Sequence, residues 1–372
     1  MADIKTILRE LSVATQLGLL VDNKKSVLSE KNPKAFLELA EKYVEGIIPS
    51  AKSISNLSGF DPQQKTIINN GSLLAISIFE DKHFSIRKSD TIEWVGGDTQ
   101  KSNPADVIIG PYRFSLKEDS YILNNMGLYN YLTLVTGQQY TRGLHVFKEF
   151  ACTEYNNWFY YTWLLLLKNP DWAKINARDN SFSSIKTEGN NLVLDFQNTE
   201  SVIPTEISTV IEFEEHTNSL TREKVFAKWI NDVASKDAEY TKLKKICAET
   251  AGKNICGLIK NTHSSKGIGE LLQFCEDDYY YAKHDGNEIS LFYVPSISNY
   301  ENVITLDDVS YSVPKSQLNI LTTFINKKTN NTFNIRNECR FSHGQFNGTP
   351  EAKMYYPRNE DLSSIYTPLN LL

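Results

Sequence analysis

Apolar residues recur at helical spacing through residues 4 to 21, where Ile4, Ile7, Leu8, Leu11 and Ala14 line one side, and the same period returns from Lys34 to Ile48. Asp61 and Pro62 form a cap and first-turn pair for a third helix through Ile67, Ile68, Leu73, Leu74, Ile78 and Phe79. Gly71 weakens its middle, and it is expected to end near Glu80 and Asp81. From Phe84 the pattern changes. Thr91 to Val95 reads as a strand, Gly96 to Asp98 breaks it, and Asp106 to Ile109 with Tyr112 to Lys117 reads as a tight hairpin turning at Gly110-Pro111. Helical spacing resumes from Tyr121 to Val135, and Gly137 supplies its stop.

Lys168-Asn-Pro-Asp171 and the polar stretch from Asn176 to Ser184 mark a boundary, so two domains are expected, 1–175 and 176–372. In the second, Ile185-Lys186 and Leu192 to Phe196 flank a turn at Glu188. A long helix, Arg222 to Glu249, places Val225, Phe226, Trp229, Ile230, Val233 and Tyr240 on one face and many lysines on the other. Two hairpins follow, Tyr279 to Ala282 with Ile289 to Val294 across Asp285-Gly286, and Leu318 to Ile325 with Thr332 to Phe341 across residues 328–331. The expected class is α/β, a mixed sheet flanked by helices, with a C-terminal α+β domain.

At 372 residues the chain can bury a sizeable core, and 41% hydrophobic, 23% charged and 11% aromatic residues describe a chain that folds. The longest apolar run, Trp158 to Leu167, is about half of what a bilayer crossing needs, so no membrane span is expected. Asp3 and Glu10 sit where a secretory leader would be basic and then apolar, which predicts an intracellular, cytoplasmic protein. Its five cysteines are widely spaced without a zinc pattern and read as buried free thiols. A net charge of −6 weighs against nonspecific coating of nucleic acid but leaves room for a local basic cleft.

The chemistry concentrates at Pro104-Ala-Asp106 and, eight residues on, Ser115-Leu-Lys117. On a strand Ser115 and Lys117 project from one face, and a short turn brings that face beside Asp106 while Leu116 points to the core. Phosphodiester cleavage needs a hard divalent cation held by carboxylates, and a positive group near the developing charge. The segment from Gln63 to Phe150 resembles the PD-(D/E)XK nuclease superfamily, the fold of many type II restriction endonucleases. The resemblance implies that Asp106 is the motif aspartate, Ser115 the middle acidic position and Lys117 the lysine, with the Leu116 carbonyl as a further metal ligand. It further implies Mg²⁺, with Mn²⁺ as a substitute, double-stranded DNA as substrate, and a homodimer that cuts both strands.

Two departures stand out. Pro104 lies one residue too early for a strict Pro-Asp pair, and Ser115 cannot act as a charged ligand. The missing acid is expected from Glu93 on the preceding strand or Glu80 at the end of the preceding helix; Glu118 faces the wrong side. The same residues also suit a solvated hairpin edge in a noncatalytic viral or phage DNA-binding or structural protein that kept a nuclease-like fold.

A second signal lies in Thr332 to Phe341, where Phe333, Ile335, Cys339 and Phe341 alternate with Asn334, Arg336, Glu338 and Arg340, Asn337 being the polar break on the apolar side. Arg336 and Arg340, held by Glu338, can donate to guanine edges or phosphates, and His343 and Gln345 extend the polar edge. The blander account is an ion-pair ladder on a solvated face. The helix lysines are diluted by Glu223, Asp232, Asp237 and Glu239, the six histidines show no ligand spacing, and Ser264 to Gly269 lacks the spacing of a phosphate loop.

Overall fold

A computed structural model of the chain describes residues 4–24, 28, 32–46, 51–96, 104–117, 122–141, 146–168, 184–196, 198–219, 221–222, 225, 230, 234–285, 288–341, 345–347, 350–356 and 362–369. Helices α1 (Ile4–Val21), α2 (Pro33–Tyr43) and α3 (Pro62–Glu80) lie where the apolar period placed them. Their starts are chemically marked. Asn32 caps α2 through the Ala35 amide with Pro33 in the first turn, and Asp61 and Gln64 form a reciprocal capping box on α3. Gly71 costs helix propensity, but a side chain there would strike Ser12, so its absence lets α1 and α3 pack closely.

Strands β1 (Ile92–Trp94), β2 (Val107–Ile109) and β3 (Tyr112–Lys117) form an antiparallel meander. Gly110, at φ 53°, takes the left-handed conformation that the two-residue turn between β2 and β3 requires. The region expected as one helix from Tyr121 is instead β4 (Ile122–Gly127) followed by α4 (Leu128–Thr136), with Gly137 in the left-handed stop position. Hydrogen bonding along Glu351–Tyr355 converts the first half to strand, and Asn124 and Asn125 lose little by leaving a helix.

Next come α5 (Val146–Phe150), α6 (Cys152–Lys168), a small sheet of β5 (Ser184–Glu188), β6 (Asn191–Phe196) and β7 (Thr199–Pro204), and α7 (Val210–Glu215). The helix expected over Arg222 to Glu249 is split: Thr221, Arg222, Val225 and Ile230 are helical, a 3-10 turn covers Ala234–Lys236, and α8 runs Ala238–Thr262, because the Asp237 side chain accepts the Tyr240 amide and starts a new helix there. Three of its lysines are accounted for. Lys242 pairs with Glu239 at 3.1 Å and Lys245 with Glu249 at 3.7 Å, while burial lowers the pKa of Lys244, which lies 5.9 Å from the centre of the Trp158 ring. Beyond α9 (Ser265–Leu271), β8 (Tyr279–Asp285) and β9 (Glu288–Val294) form the expected hairpin, then β10 (Ile304–Ser312), β11 (Asn319–Asn326), β12 (Asn331–Arg340), β13 (Glu351–Tyr355) and β14 (Thr367–Pro368).

The protein is mixed α/β. A six-stranded mixed sheet runs β1-β2-β3-β8-β9-β14 and a five-stranded one runs β10-β11-β12-β13-β4. The division expected at residue 175 falls outside the described residues, and pairing crosses it in both sheets: β3 joins β8 in parallel, and β4 joins β13. The chain therefore does not separate into consecutive halves. One core unites α1 to α3 with one face of β1 to β3 and Ala282; a larger one gathers α4 to α9 and the later strands. No helix among the described residues is long and apolar enough to cross a membrane. Of the cysteines, Cys247, Cys256 and Cys339 are buried free thiols, Cys275 is half-buried, and Cys152 is exposed, contrary to the expectation that all are buried.

Candidate active site

Strand parity builds the site. Val107, Ile109, Phe114 and Leu116 enter the N-terminal core, which turns Asp106, Ser115 and Lys117 to the opposite face of the sheet. Asp106 is held by its own backbone: its amide donates to the Phe114 carbonyl at 2.8 Å, and its carbonyl accepts the Val95 and Gly96 amides at 3.0 and 3.1 Å. Its carboxylate oxygen Oδ2 accepts the Leu116 amide at 2.7 Å and lies 3.5 Å from Lys117 Nζ. The acid and the ammonium thus meet across the hairpin, with the acid 14% and the lysine 30% exposed. Ser115 is fully buried, and its hydroxyl has no hydrogen-bond partner among the described residues.

A second carboxylate that the sequence reading did not single out shares the field of Asp106. Glu10, on α1, is 3% exposed, and its Oε2 accepts the Trp94 indole N–H at 2.9 Å. Burial pushes the Glu10 carboxyl up to about 7, with the Asp106 charge acting in the same direction, while the Trp94 hydrogen bond, Arg9 and Lys117 pull it back. These groups share one field at the end of the hairpin. A side chain at residue 96 would collide with the Glu10 carboxylate, so Gly96 is what admits it. Sequence reasoning passed Glu10 over, yet it carried a signal: an acid three residues after Ile7 and four before Ala14 falls inside the apolar stripe of its helix.

Of the two acids favoured from sequence, Glu93 lies nearer to Asp106 than Glu80 does. Glu93 is half-buried opposite Ile108, one strand over and on the diagonal from Asp106, roughly 7–8 Å away in such a ladder. Glu80 is exposed four residues before Phe84, whose ring packs on Tyr112, Phe114 and Tyr280 at 5.2, 5.1 and 4.8 Å. That contact fixes the α3 end near the start of β3, about 15 Å along the strand from Lys117. Among the described residues no three His, Cys, Asp or Glu side chains form a group that could hold a metal ion.

The Arg-rich strand belongs to the five-stranded sheet, whereas Asp106 and Lys117 belong to the six-stranded one. The alternation is as expected, with Phe333, Ile335, Asn337 and Cys339 buried and Arg336 and Arg340 exposed. Glu338 lies 3.6 Å from Arg336 and 3.7 Å from Arg340, and the Arg336 guanidinium sits 4.5 Å from the centre of the Tyr355 ring on β13. Gln345 is half-buried in the turn beyond β12, and His343 lies outside the described residues.

Comparison with known families, curated proteins and solved structures gives no match.

Proposed function

We propose that the chain is a divalent-metal-dependent endonuclease of double-stranded DNA, restriction-endonuclease-like, with Asp106 and Glu10 as its acids and Lys117 as its cation. The observation that carries the reading is the 3.5 Å approach of Lys117 to Asp106 beside a second, buried carboxylate. Two acids in one partly desolvated field are costly unless a proton or a cation neutralises them. The oxygen donors at hand are the two carboxylates, the Ser115 hydroxyl and, as the resemblance implies, the Leu116 carbonyl; an all-oxygen set of this kind suits Mg²⁺. When bound, the ion would polarise the phosphate and make a water nucleophilic. Asp106 and Glu10 would hold it, and Lys117 would face the negative charge that grows on the phosphate oxygens. Gly96 leaves room for the Glu10 carboxylate, and the Trp94 indole holds it in place.

Incubating the purified chain with plasmid and Mg²⁺ or Mn²⁺, with and without EDTA, tests this directly. Metal-dependent cutting that Asp106→Ala abolishes, with the melting profile kept, supports the reading; an undiminished rate in Asp106→Ala refutes it. A noncatalytic DNA-binding role is favoured by one observation, the serine at the middle acidic position. Retained duplex binding with no cutting in either metal decides for that role. Sedimentation at micromolar concentration tests the homodimer.

A further inference from the structure

We propose that the cleft between α4 and α9 binds a small organic ammonium ion with an apolar body. None of its lining residues belongs to the Asp106 site. The cleft measures about 490 Å³, within the range of small-molecule sites. Three segments supply its apolar side: Leu134 from α4, Phe274 from the loop after α9, and Ile297 beyond β9. These walls are fixed before any ligand arrives. The Ser264 amide donates to the Val135 carbonyl at 2.8 Å, and Gly267 lets α9 lie directly on the Leu134 backbone, where a side chain would collide. The Phe274 ring packs on Tyr300 at 5.3 Å, and the Ile297 amide donates to the Cys275 carbonyl. A cleft built in advance spares its ligand the cost of ordering it.

Charge decides which ligand fits. Glu270, Glu276 and Asp277 line the cleft against one cation, Lys266. Asp277 pairs with Arg113 of β3 at 3.4 Å, whereas Glu270 and Glu276 are exposed and form no ion pair among the described residues. The Cys275 thiol, which also lines the cleft, senses the balance. Burial pushes it up to about 11, and Glu270 and then Asp277 push it the same way, with no cation pulling it back. The field beside the apolar side is therefore negative, and Lys266 does not cancel it. An anion is repelled there, and a neutral molecule gains no charge attraction from the carboxylates. A bare metal ion gains nothing from Leu134, Phe274 and Ile297. An ammonium group carried on an apolar body satisfies both sides.

The test is calorimetric titration of the full chain with phenethylammonium and with phenethyl alcohol, its uncharged counterpart. The ammonium is expected to bind with a dissociation constant below about 1 mM, and the alcohol roughly 10-fold more weakly or less. Glu270→Gln and Glu276→Gln, both at exposed positions, should each weaken the ammonium by roughly 3- to 10-fold. Leu134→Trp, which fills the apolar side, should abolish binding while the melting profile is kept. Equal affinity for the ammonium and the alcohol overturns the proposal, as does ammonium binding that survives the double change Glu270→Gln with Glu276→Gln. Absence of binding at millimolar phenethylammonium overturns it as well. A lysine-bearing peptide that binds where phenethylammonium does not would make the cleft a protein-docking site and reject a free amine as its ligand.

Discussion

Replacing Glu10 by glutamine should stabilise the protein, and only above weakly acidic pH. The carboxyl is pushed from an ordinary 4.5 to about 7 in the folded chain. Between those values the folded state keeps a proton that the unfolded state has released, so stability falls as pH rises through the window and stays low above it. The shift corresponds to ~3 kcal/mol at pH 8. Glutamine is neutral at every pH and its amide oxygen still accepts the Trp94 N–H, so Glu10→Gln escapes this loss. With ~2.1 cal/mol/K per residue over 372 residues, the difference amounts to about 4 °C in Tm at pH 8 and vanishes near pH 4.5. Melting curves of both proteins from pH 4.5 to 8.5 measure it. Millimolar Mg²⁺ at pH 8 should recover the difference in the natural chain, because the ion replaces the proton, and should move Glu10→Gln less. A difference in Tm that does not change with pH would show that Glu10 is not the strained acid described above.

Trp94→Phe removes the indole donor that favours the charged form of Glu10, so the acid limb of cleavage should move up by about one pH unit; an unmoved limb separates the indole from the chemistry. The double change Arg336→Ala with Arg340→Ala breaks ion pairs that are 3.6 and 3.7 Å long and half exposed, so stability should change by less than ~1 kcal/mol. If that face holds DNA, affinity should fall and the salt slope should drop by roughly 0.9 for each lost contact; unchanged affinity leaves the residues as a surface ladder.

The parts of the fold visible in the sequence are those with local causes. Asp61, Pro62 and Gln64 announce α3 by hydrogen bonds within a few residues, and Gly110 announces the β2–β3 turn by the backbone angle it alone adopts cheaply. That hairpin is also why Asp106 and Lys117 could be paired in advance. β4 was misread because Ile122, Leu123, Met126 and Leu128 fit a helix as well as a strand, and the deciding partner, Glu351–Tyr355, lies more than 200 residues away. Glu10 was hidden for a related reason: an acid in an apolar stripe looks like an imperfection until a tryptophan from β1 and a glycine at residue 96 are brought against it. Parallel pairing of β3 with β8, which broke the expected division at 175, leaves no mark in either segment alone.

That parallel pairing also sets the order in which the molecule can become active. Until Tyr279–Asp285 arrives, roughly 160 residues after Lys117, the outer side of β3 has no neighbour and Leu116 lacks the cover of Ala282. A nascent chain or a fragment that stops short of β8 holds the acid and its lysine without the strand that steadies them. If this protein cuts DNA, the cell making it is shielded from half-built copies by topology alone, since the competent face is completed only when most of the polypeptide has left the ribosome.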